Sequence, residues 1–291
     1  MSIYDLVTSR ILARMEQGVV PWHKPWTTGL PKSLASGREY RGINLLLLSA
    51  SEYSSGYWLT YREAQRLGGH VRRGERATTV VYWKWRTPEE REKLRAERGI
   101  ADPAPCVPFS SAVFNLDQVE GVPPPEDAPI TVEANRLAPA EQLIGAIPQP
   151  PEIRHCITQD PAYLPGEDRI VLPHLSQFSS ADEYYATLFH ELMHATGHPQ
   201  RLNRFSSSEV LSRRDYSFEE LVAELGAAFL GAIVRLENQH VEELQTGYLA
   251  GWMKAFREDS QVLLRAASAA QRGVDYLRGV HHGAGAAEIA A

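Results

Sequence analysis

The hydrophobic pattern is clearest in one segment beyond the middle of the chain. Apolar residues recur there three or four positions apart, as on one face of an α-helix: Tyr184, Leu188, Leu192 and Ala195. Ser180 and Glu183 precede this stripe in the spacing of an N-terminal capping box. Gly197 and Pro199, two residue types that end helices, follow it. The pattern predicts a helix between about residues 180 and 197.

Other patterns predict a mixture of helices and strands. An apolar stripe predicts a first helix over about 3–17, and alternating residues predict a strand over 78–86. A second strand is predicted over 107–119. The last third is predicted to form three helices, over about 218–236, 247–258 and 261–278. This mixture predicts the α+β fold class.

Proline-rich breaks predict where the chain divides. The run Val122–Asp127 contains three successive prolines, and a second break lies at Ile147–Pro151. We place the boundary in the first break. This predicts two domains, residues 1–128 and 129–291.

Charge is divided unevenly along the chain. Residues 1–86 hold 13 Lys and Arg against 6 Asp and Glu, whereas the remaining residues hold 17 against 30. The net charge of −6 hides this difference. The opposite signs favour modules with different partners, and the basic module is the candidate for nucleic-acid binding.

Other composition features predict a cytoplasmic protein without a membrane partner. Cys106 and Cys156 lie far apart and have no metal-ligand spacing, as is typical of a reducing compartment. The first 17 residues carry charges instead of the apolar core of a signal peptide. The apolar run Ile43–Leu48 is too short to cross a bilayer.

The predicted helix at 180–197 carries an HExxH motif, which is typical of metal-dependent peptidases. His190 and His194 are four residues apart, so both imidazoles lie on one helix face and can reach one ion. Glu191 lies between them and can act as general base. The alternative is that both histidines are ordinary core or surface residues.

A catalytic zinc site needs a third protein ligand, and two patterns compete. The metzincin pattern would place it at position 200, which is Gln200. The thermolysin-like pattern takes a glutamate from a later helix, and Glu220 fits it. Ser217 and Glu220 also form a capping-box pattern, so the alternative is that Glu220 caps its helix and binds no metal. Glu219 and Glu224 are the alternative ligands.

Three further roles are predicted around this site. Glu224 lies one helical turn after Glu220 and could orient a histidine ligand without binding the metal itself. Tyr216 and His198 are candidates for stabilising an oxyanion, and the sequence does not choose between them. The strand Asp168–Pro173 could pair with an extended peptide substrate, or it could be an ordinary sheet strand.

The basic module also holds five of the six tryptophans. Aromatic rings interleaved with arginine and lysine can stack on bases and neutralise phosphates, which is the chemistry of single-stranded nucleic-acid binding. The alternative is that the tryptophans form a core and the charges a solvated face. The predicted DNA-binding residues are Trp22, Lys24, Trp26, Tyr40, Arg41, Arg72, Arg73 and Arg76.

The chain resembles ArdC-type antirestriction proteins of conjugative plasmids, whose N-terminal domain also occurs in plasmid primases of the TraC type. In the first half the similar segments are Val20–Trp26, Tyr40–Asn44, Leu67–Glu75 and Phe114–Gln118. In the second half they are Asp168–Pro173, His190–Gly197, Arg201–Arg204 and Glu219–Leu230. The resemblance therefore covers nearly the whole chain.

The resemblance implies a single-stranded-DNA-binding N-terminal domain and a mostly helical, zincin-like metallopeptidase domain with a small sheet. It implies His190, His194 and Glu220 as metal ligands, and Glu191 as catalytic base. The expected ion is Zn²⁺, with Mn²⁺ or another divalent ion as the alternative. The expected partners are single-stranded DNA and a protein or peptide substrate.

Three functions remain open at this point. In the first, the protein binds DNA, carries out metallopeptidase chemistry and protects incoming plasmid DNA during conjugation. In the second, the metal site is non-catalytic and protection comes from coating DNA. In the third, the protein is a peptidase that cleaves a DNA-associated regulator.

Overall fold

The computed structural model describes residues 2–17, 20–22, 30–51, 53–125, 137–156, 160–205, 213–236 and 245–280. For residues 213–216 and 245–248 it describes the backbone only. The predicted domain boundary after residue 128 lies outside these residues, so the division stays a prediction.

The first half of the chain is built around strands that pair antiparallel, except that β1 and β2 run parallel. The strands are β1 (Lys32–Ser33), β2 (Tyr57–Leu59), β3 (His70–Val71), β4 (Thr78–Trp85), β5 (Cys106–Asn115) and β6 (Val119–Glu120). Four of them form a sheet in the order β1-β2-β5-β4, and β3 pairs with β6. The strand predicted to reach residue 119 ends earlier, because Asn115 accepts a hydrogen bond from the Asp117 backbone N–H and starts a 3-10 turn.

Four helices accompany these strands: α1 (Ile3–Glu16), α2 (Ile43–Ser49), α3 (Tyr61–Arg66) and α4 (Pro88–Arg98). All seven residues of α2 are buried, so its apolar run serves the core. By contrast, α4 has no buried residue and is a solvated, charged helix. None of the helices in the described ranges is long and apolar enough to cross a membrane.

The second half is mostly helical with a small sheet. Its helices are α5 (Ala138–Gly145), α6 (Ala181–Ala195), α7 (Arg213–Val234), α8 (Gln245–Glu258) and α9 (Val262–Leu277). Its strands are β7 (Glu152–His155), β8 (Ala162–Leu164) and β9 (Arg169–Leu172), in the order β7-β9-β8. These elements confirm the α+β class.

The position of β9 favours the second of the two interpretations of Asp168–Pro173, an ordinary sheet strand. It pairs in parallel with β7 on one side and antiparallel with β8 on the other. Both of its edges are therefore occupied, so β9 cannot accept an extended peptide as a further strand. The free edges of this sheet, among the described residues, belong to β7 and β8.

One hydrophobic core runs through both halves. Residues of α1 and α2 belong to the same buried cluster as residues of α6, α7 and α9. Polar contacts also join the two halves: Thr8 on α1 donates a hydrogen bond to the Ser260 carbonyl at 2.7 Å, and the N–H of Gly42, the N-cap of α2, donates to Gln271 Oε1 on α9 at 2.9 Å. The first half is therefore packed against α8 and α9, and α9 in turn packs against α6 and α7, which carry the candidate metal site.

Candidate metal centre and nucleic-acid surface

Helix α6 carries the two histidines of the motif. Ser180 Oγ accepts a hydrogen bond from the Glu183 N–H at 3.1 Å, which caps the helix at the predicted residue. The Glu183 side chain binds Ser179 instead of Ser180, so only half of the predicted capping box forms. His190 and His194 follow one turn apart, with ring centroids separated by 4.8 Å.

The segment after α6 folds back and binds the carbonyl groups at the end of the helix. Arg201 donates to the Ala195 carbonyl at 2.9 Å, and Arg204 donates to the Met193 carbonyl at 2.7 Å. Asp168 holds Arg201 through hydrogen bonds of 2.7 and 2.8 Å. Because the last carbonyls of a helix have no partners within it, the two arginines fix the end that carries the second histidine.

Helix α7 packs against α6 and brings a glutamate to both rings. Glu220 Oε2 lies 3.5 Å from His190 Nε2, and its Oε1 lies 3.6 Å from His194 Nε2. Since α7 begins at Arg213, Ser217 lies inside the helix and is not its N-cap. The alternative in which Glu220 only caps its helix is therefore wrong.

The spacing of these donor atoms fits a divalent ion. The two Nε2 atoms lie 3.1 Å apart, and one donor atom of each residue lies within 4.8 Å of the others. A tetrahedral ion with bonds of about 2.0–2.1 Å holds its ligand atoms roughly 3.3–3.4 Å apart. Two imidazoles and one carboxylate suit Zn²⁺ and related divalent ions. His190, His194 and Glu220 thus form a group that could hold such an ion.

The outer nitrogen of each histidine faces a further carboxylate. Glu224 Oε1 lies 3.5 Å from His190 Nδ1, and Glu219 Oε1 lies 3.6 Å from His194 Nδ1. A carboxylate on this side favours a proton on Nδ1 and leaves the Nε2 lone pair for a metal. Sequence reasoning assigned this position to Glu224 but gave Glu219 only the role of alternative ligand. Adjacent residues of a helix project about 100° apart around its axis. This angle could have indicated that Glu219 and Glu220 contact different atoms of the site.

The cluster carries an excess of negative charge. Burial alone would lower the pKa of His190, but three surrounding glutamates outweigh burial and raise it to about 9. Burial would raise the pKa of Glu219, yet hydrogen bonds from His194 and Arg204 hold it below its usual range. The carboxylates that favour a proton on His190 also favour a metal cation, which must displace that proton from the ring when it binds.

The remaining predicted residues of the site are placed differently. Glu191 is buried on α6, and its charge contributes to the raised pKa of His190. His198 accepts a hydrogen bond from the Gln200 N–H at 3.3 Å, and its described contacts include none of the three donors. The side chain of Tyr216 lies outside the described residues. The identity of the oxyanion stabiliser stays a prediction.

Two of the aromatic side chains predicted to bind DNA are buried. Trp22 is 0% exposed and packs on Trp252 with ring centroids 6.2 Å apart, and Tyr40 is 4% exposed. Arg41 pairs with Asp275 on α9. Because neither ring has a face that a base can reach in this structure, the prediction that Trp22 and Tyr40 bind DNA is corrected: both belong to the core.

The glycine-bracketed turn at residues 68–76, by contrast, is exposed. Together with α3 it presents one exposed tyrosine and five exposed arginines, which we call the basic surface: Tyr61, Arg62, Arg66, Arg72, Arg73 and Arg76. Glu75 neutralises one of these charges through a hydrogen bond with Arg72 at 2.8 Å. Sequence reasoning missed the contribution of α3, although the arginine spacing of four and the N-cap Thr60 were visible. Lys24 and Trp26 lie outside the described residues.

Two family models match the chain in sequence order. Residues 1–114 match the N-terminal domain of anti-restriction factor ArdC, and residues 139–269 match a zincin-like metallopeptidase. Two Escherichia coli proteins named DNA primase TraC are 36% and 33% identical over 94% of this chain. The chain spans only 27% and 20% of their lengths. An uncharacterized Sinorhizobium fredii protein, y4eC, is 35% identical over 94% of this chain and 91% of its own length.

Solved structures agree with the family models. The Mn(II)-bound crystal structure of the antirestriction protein ArdC from plasmid R388 is 35% identical, with a TM-score of 0.76. The match covers 96% of this chain and 98% of that one. The metal-free structure of the same protein is 33% identical, with a TM-score of 0.75 over 97% and 100% of the two chains. On this fold and these matches, the chain belongs to the ArdC family of antirestriction proteins, with an ArdC N-terminal domain followed by a zincin-like metallopeptidase domain.

Proposed function

We propose that this protein hydrolyses peptide bonds of a substrate at the metal site between α6 and α7. We further propose that it binds single-stranded DNA without sequence preference and protects incoming plasmid DNA during conjugation. One observation carries the enzymatic part: the donors of His190, His194 and Glu220 converge beside the buried carboxylate of Glu191. The proposed ion is Zn²⁺. Mn²⁺, the ion in the related crystal structure, is the alternative.

The residues of this chain divide the chemistry between them. His190 Nε2, His194 Nε2 and the Glu220 carboxylate would hold the ion, which supplies Lewis-acid activation of water and of a peptide carbonyl when bound. Glu191 accepts a proton from the attacking water. It then gives that proton to the nitrogen of the breaking C–N bond, so that an amine and a carboxylate leave.

The basic surface supports the DNA-binding part of the proposal. Four of its five arginines have no carboxylate partner among the described residues, while Arg72 is paired with Glu75. Exposed guanidinium groups neutralise phosphates irrespective of sequence. Tyr61 is 50% exposed and offers a ring to an unpaired base.

The variant Glu191→Gln tests the proposal, with Glu258→Gln on the exposed side of α8 as the control. The measurements are bound metal, affinity for a single-stranded oligonucleotide, and survival of a plasmid that enters a restricting recipient by conjugation. We expect Glu191→Gln to keep metal and DNA binding but lose protection. Full protection by this variant would contradict a role for proteolysis and favour DNA coating alone.

The identity of the substrate tests the remaining alternative, in which the protein is a peptidase that cleaves a DNA-associated regulator. Recipient proteins that disappear when the wild-type protein is present, but persist with Glu191→Gln, can be identified by quantitative mass spectrometry. A DNA-associated regulator among them would favour the dedicated peptidase. If no protein changes, the peptidase proposal is contradicted.

A further inference from the structure

A cavity of about 670 Å³ lies between the two halves of the molecule. Tyr4 on α1 and Trp83 on β4 line it from the first half. Phe218 on α7 and the polar face of α9 line it from the second half. Its volume lies within the range of small-molecule sites in proteins, about 300–1,000 Å³.

Rings and cations share the walls of this cavity. Tyr4 and Trp83 contact each other with centroids 6.1 Å apart and their planes tilted by 44°. Three guanidinium groups accompany them, from Arg204, Arg265 and Arg272. Aromatic rings bind flat unsaturated groups, and guanidinium groups bind phosphates.

The positive charge of the cavity is not fully balanced. Glu219 holds Arg204 at 2.6 Å, and Asp259 holds Arg265 at 2.7 Å. Arg272 donates only to the neutral Ser268 hydroxyl, at 3.0 Å, within the part of the chain that the structure describes. Desolvation, and then the nearby charge of Arg204, lower the pKa of Arg272, as expected for a cation without a counter-charge.

We propose that this cavity binds a nucleotide, with its phosphate on Arg265 and Arg272 and its base against Tyr4 and Trp83. The two arginines lie seven residues apart on α9 and therefore on one helix face, two turns from each other. The nucleotide can be free in solution or part of a DNA strand, since both present the same base and phosphate. This site is separate from the basic surface and does not depend on the proposed peptidase activity.

Calorimetric titration of the full chain tests the proposal, with thymidine monophosphate, thymidine and a short oligothymidylate as probes. The test variant is Arg265→Gln with Arg272→Gln, and the control is Lys254→Gln with Arg278→Gln, which removes two exposed charges elsewhere. Both arginines in the test pair are exposed, so an unchanged melting temperature is expected to show that the variant folds.

We expect the monophosphate to bind one per chain, the test variant to bind it at least about tenfold more weakly, and thymidine to bind more weakly than its phosphate. Competition between monophosphate and oligothymidylate would assign the site to a DNA strand. Independent binding of the two would assign it to a free nucleotide. Absence of monophosphate binding, or equal binding by the test variant and the wild type, would overturn the proposal.

Discussion

Arg204 clamps Glu219 through two hydrogen bonds of 2.6 and 3.1 Å. This fixes a carboxylate 3.6 Å from the outer nitrogen of His194. The same arginine also binds the Met193 carbonyl and the Thr196 hydroxyl at the end of α6, each at 2.7 Å. One side chain therefore couples the end of the metal-site helix to the carboxylate that orients its second histidine.

We expect Glu219→Gln to weaken metal binding about 10–100-fold, because loss of a carboxylate behind a histidine ligand makes the ligand less basic and less well oriented. Glu220→Gln should weaken it further, since it removes a donor to the ion itself. Titration with Mn²⁺ followed by electron paramagnetic resonance measures both affinities. Glu258→Gln, which removes an exposed carboxylate on α8, is the control; unchanged affinity in Glu219→Gln would show that Glu219 does not support the site.

Gly226 allows α7 to approach α6 beside the metal site. A Cβ atom there would lie 2.5 Å from Met193 Sδ and 2.7 Å from its Cγ. We expect Gly226→Ala to lower the free energy of unfolding by about 1–3 kcal/mol through overpacking, as measured by urea denaturation. Gly251 on α8 has no heavy atom within 4 Å of its Cβ position, so Gly251→Ala should be neutral or stabilise by up to about 1 kcal/mol. Equal effects of the two changes would contradict the close approach.

The pair of Asp168 and Arg201 gives stability a predictable pH dependence. Burial would raise the pKa of Asp168, but hydrogen bonds from Arg201 and Tyr163 lower it below its ordinary value of 3.8. The stability from this carboxylate is therefore complete above pH 3.8 and is lost as the pH falls through the depressed pKa. Asp168 supplies the counter-charge for the guanidinium of Arg201, whose side chain is 3% exposed.

We expect Asp168→Asn to lower the free energy of unfolding by about 2–4 kcal/mol at neutral pH, because it leaves a buried guanidinium without its counter-charge. Asparagine tolerates the positive φ of 48° at this position, so the backbone is preserved. The difference from the wild type should stay constant from about pH 8 to pH 5 and shrink only at more acidic pH. A difference that disappears already near neutral pH would contradict this assignment.

The basic surface predicts how DNA affinity responds to salt. Arg73→Gln with Arg76→Gln should reduce the slope of log affinity against log salt by about 1.4, because each single-strand phosphate contact contributes about 0.7. Fluorescence anisotropy of a labelled polypyrimidine oligonucleotide over a salt series measures this slope. The matched control, Lys254→Gln with Arg278→Gln, should leave it unchanged; an unchanged slope in the test pair would move the DNA site elsewhere.

Local patterns predicted the elements of the metal site well. The stripe from Tyr184 to Ala195 and the N-cap Ser180 placed α6 within a residue of its observed start, since helix period and capping are properties of neighbouring residues. The start of α7 was placed five residues too late, at Phe218 instead of Arg213. Because of that error Ser217 was predicted as the N-cap of α7, and Glu220 could be interpreted either as part of a capping box or as a metal ligand.

Long-range packing was harder to predict, because it depends on residues far apart in sequence. Aromatic character in a basic stretch predicted Trp22 and Tyr40 as DNA contacts, yet Trp22 packs on Trp252, which is 230 positions away in the numbering. Likewise, Arg41 pairs with Asp275 on the last helix. Such pairings have no signature in local periodicity. The order β7-β9-β8 places a strand on each edge of β9. This order likewise depends on the fold of the second half of the chain and not on the local sequence of β9.

An anomalous-difference electron-density map of crystals grown with Mn²⁺ or Zn²⁺ tests the central claim most directly. We expect one peak within about 2.0–2.2 Å of His190 Nε2, His194 Nε2 and an oxygen of Glu220. A full-occupancy peak on other residues, or no peak between α6 and α7 while the protein binds the ion in solution, would contradict the assignment of these three ligands.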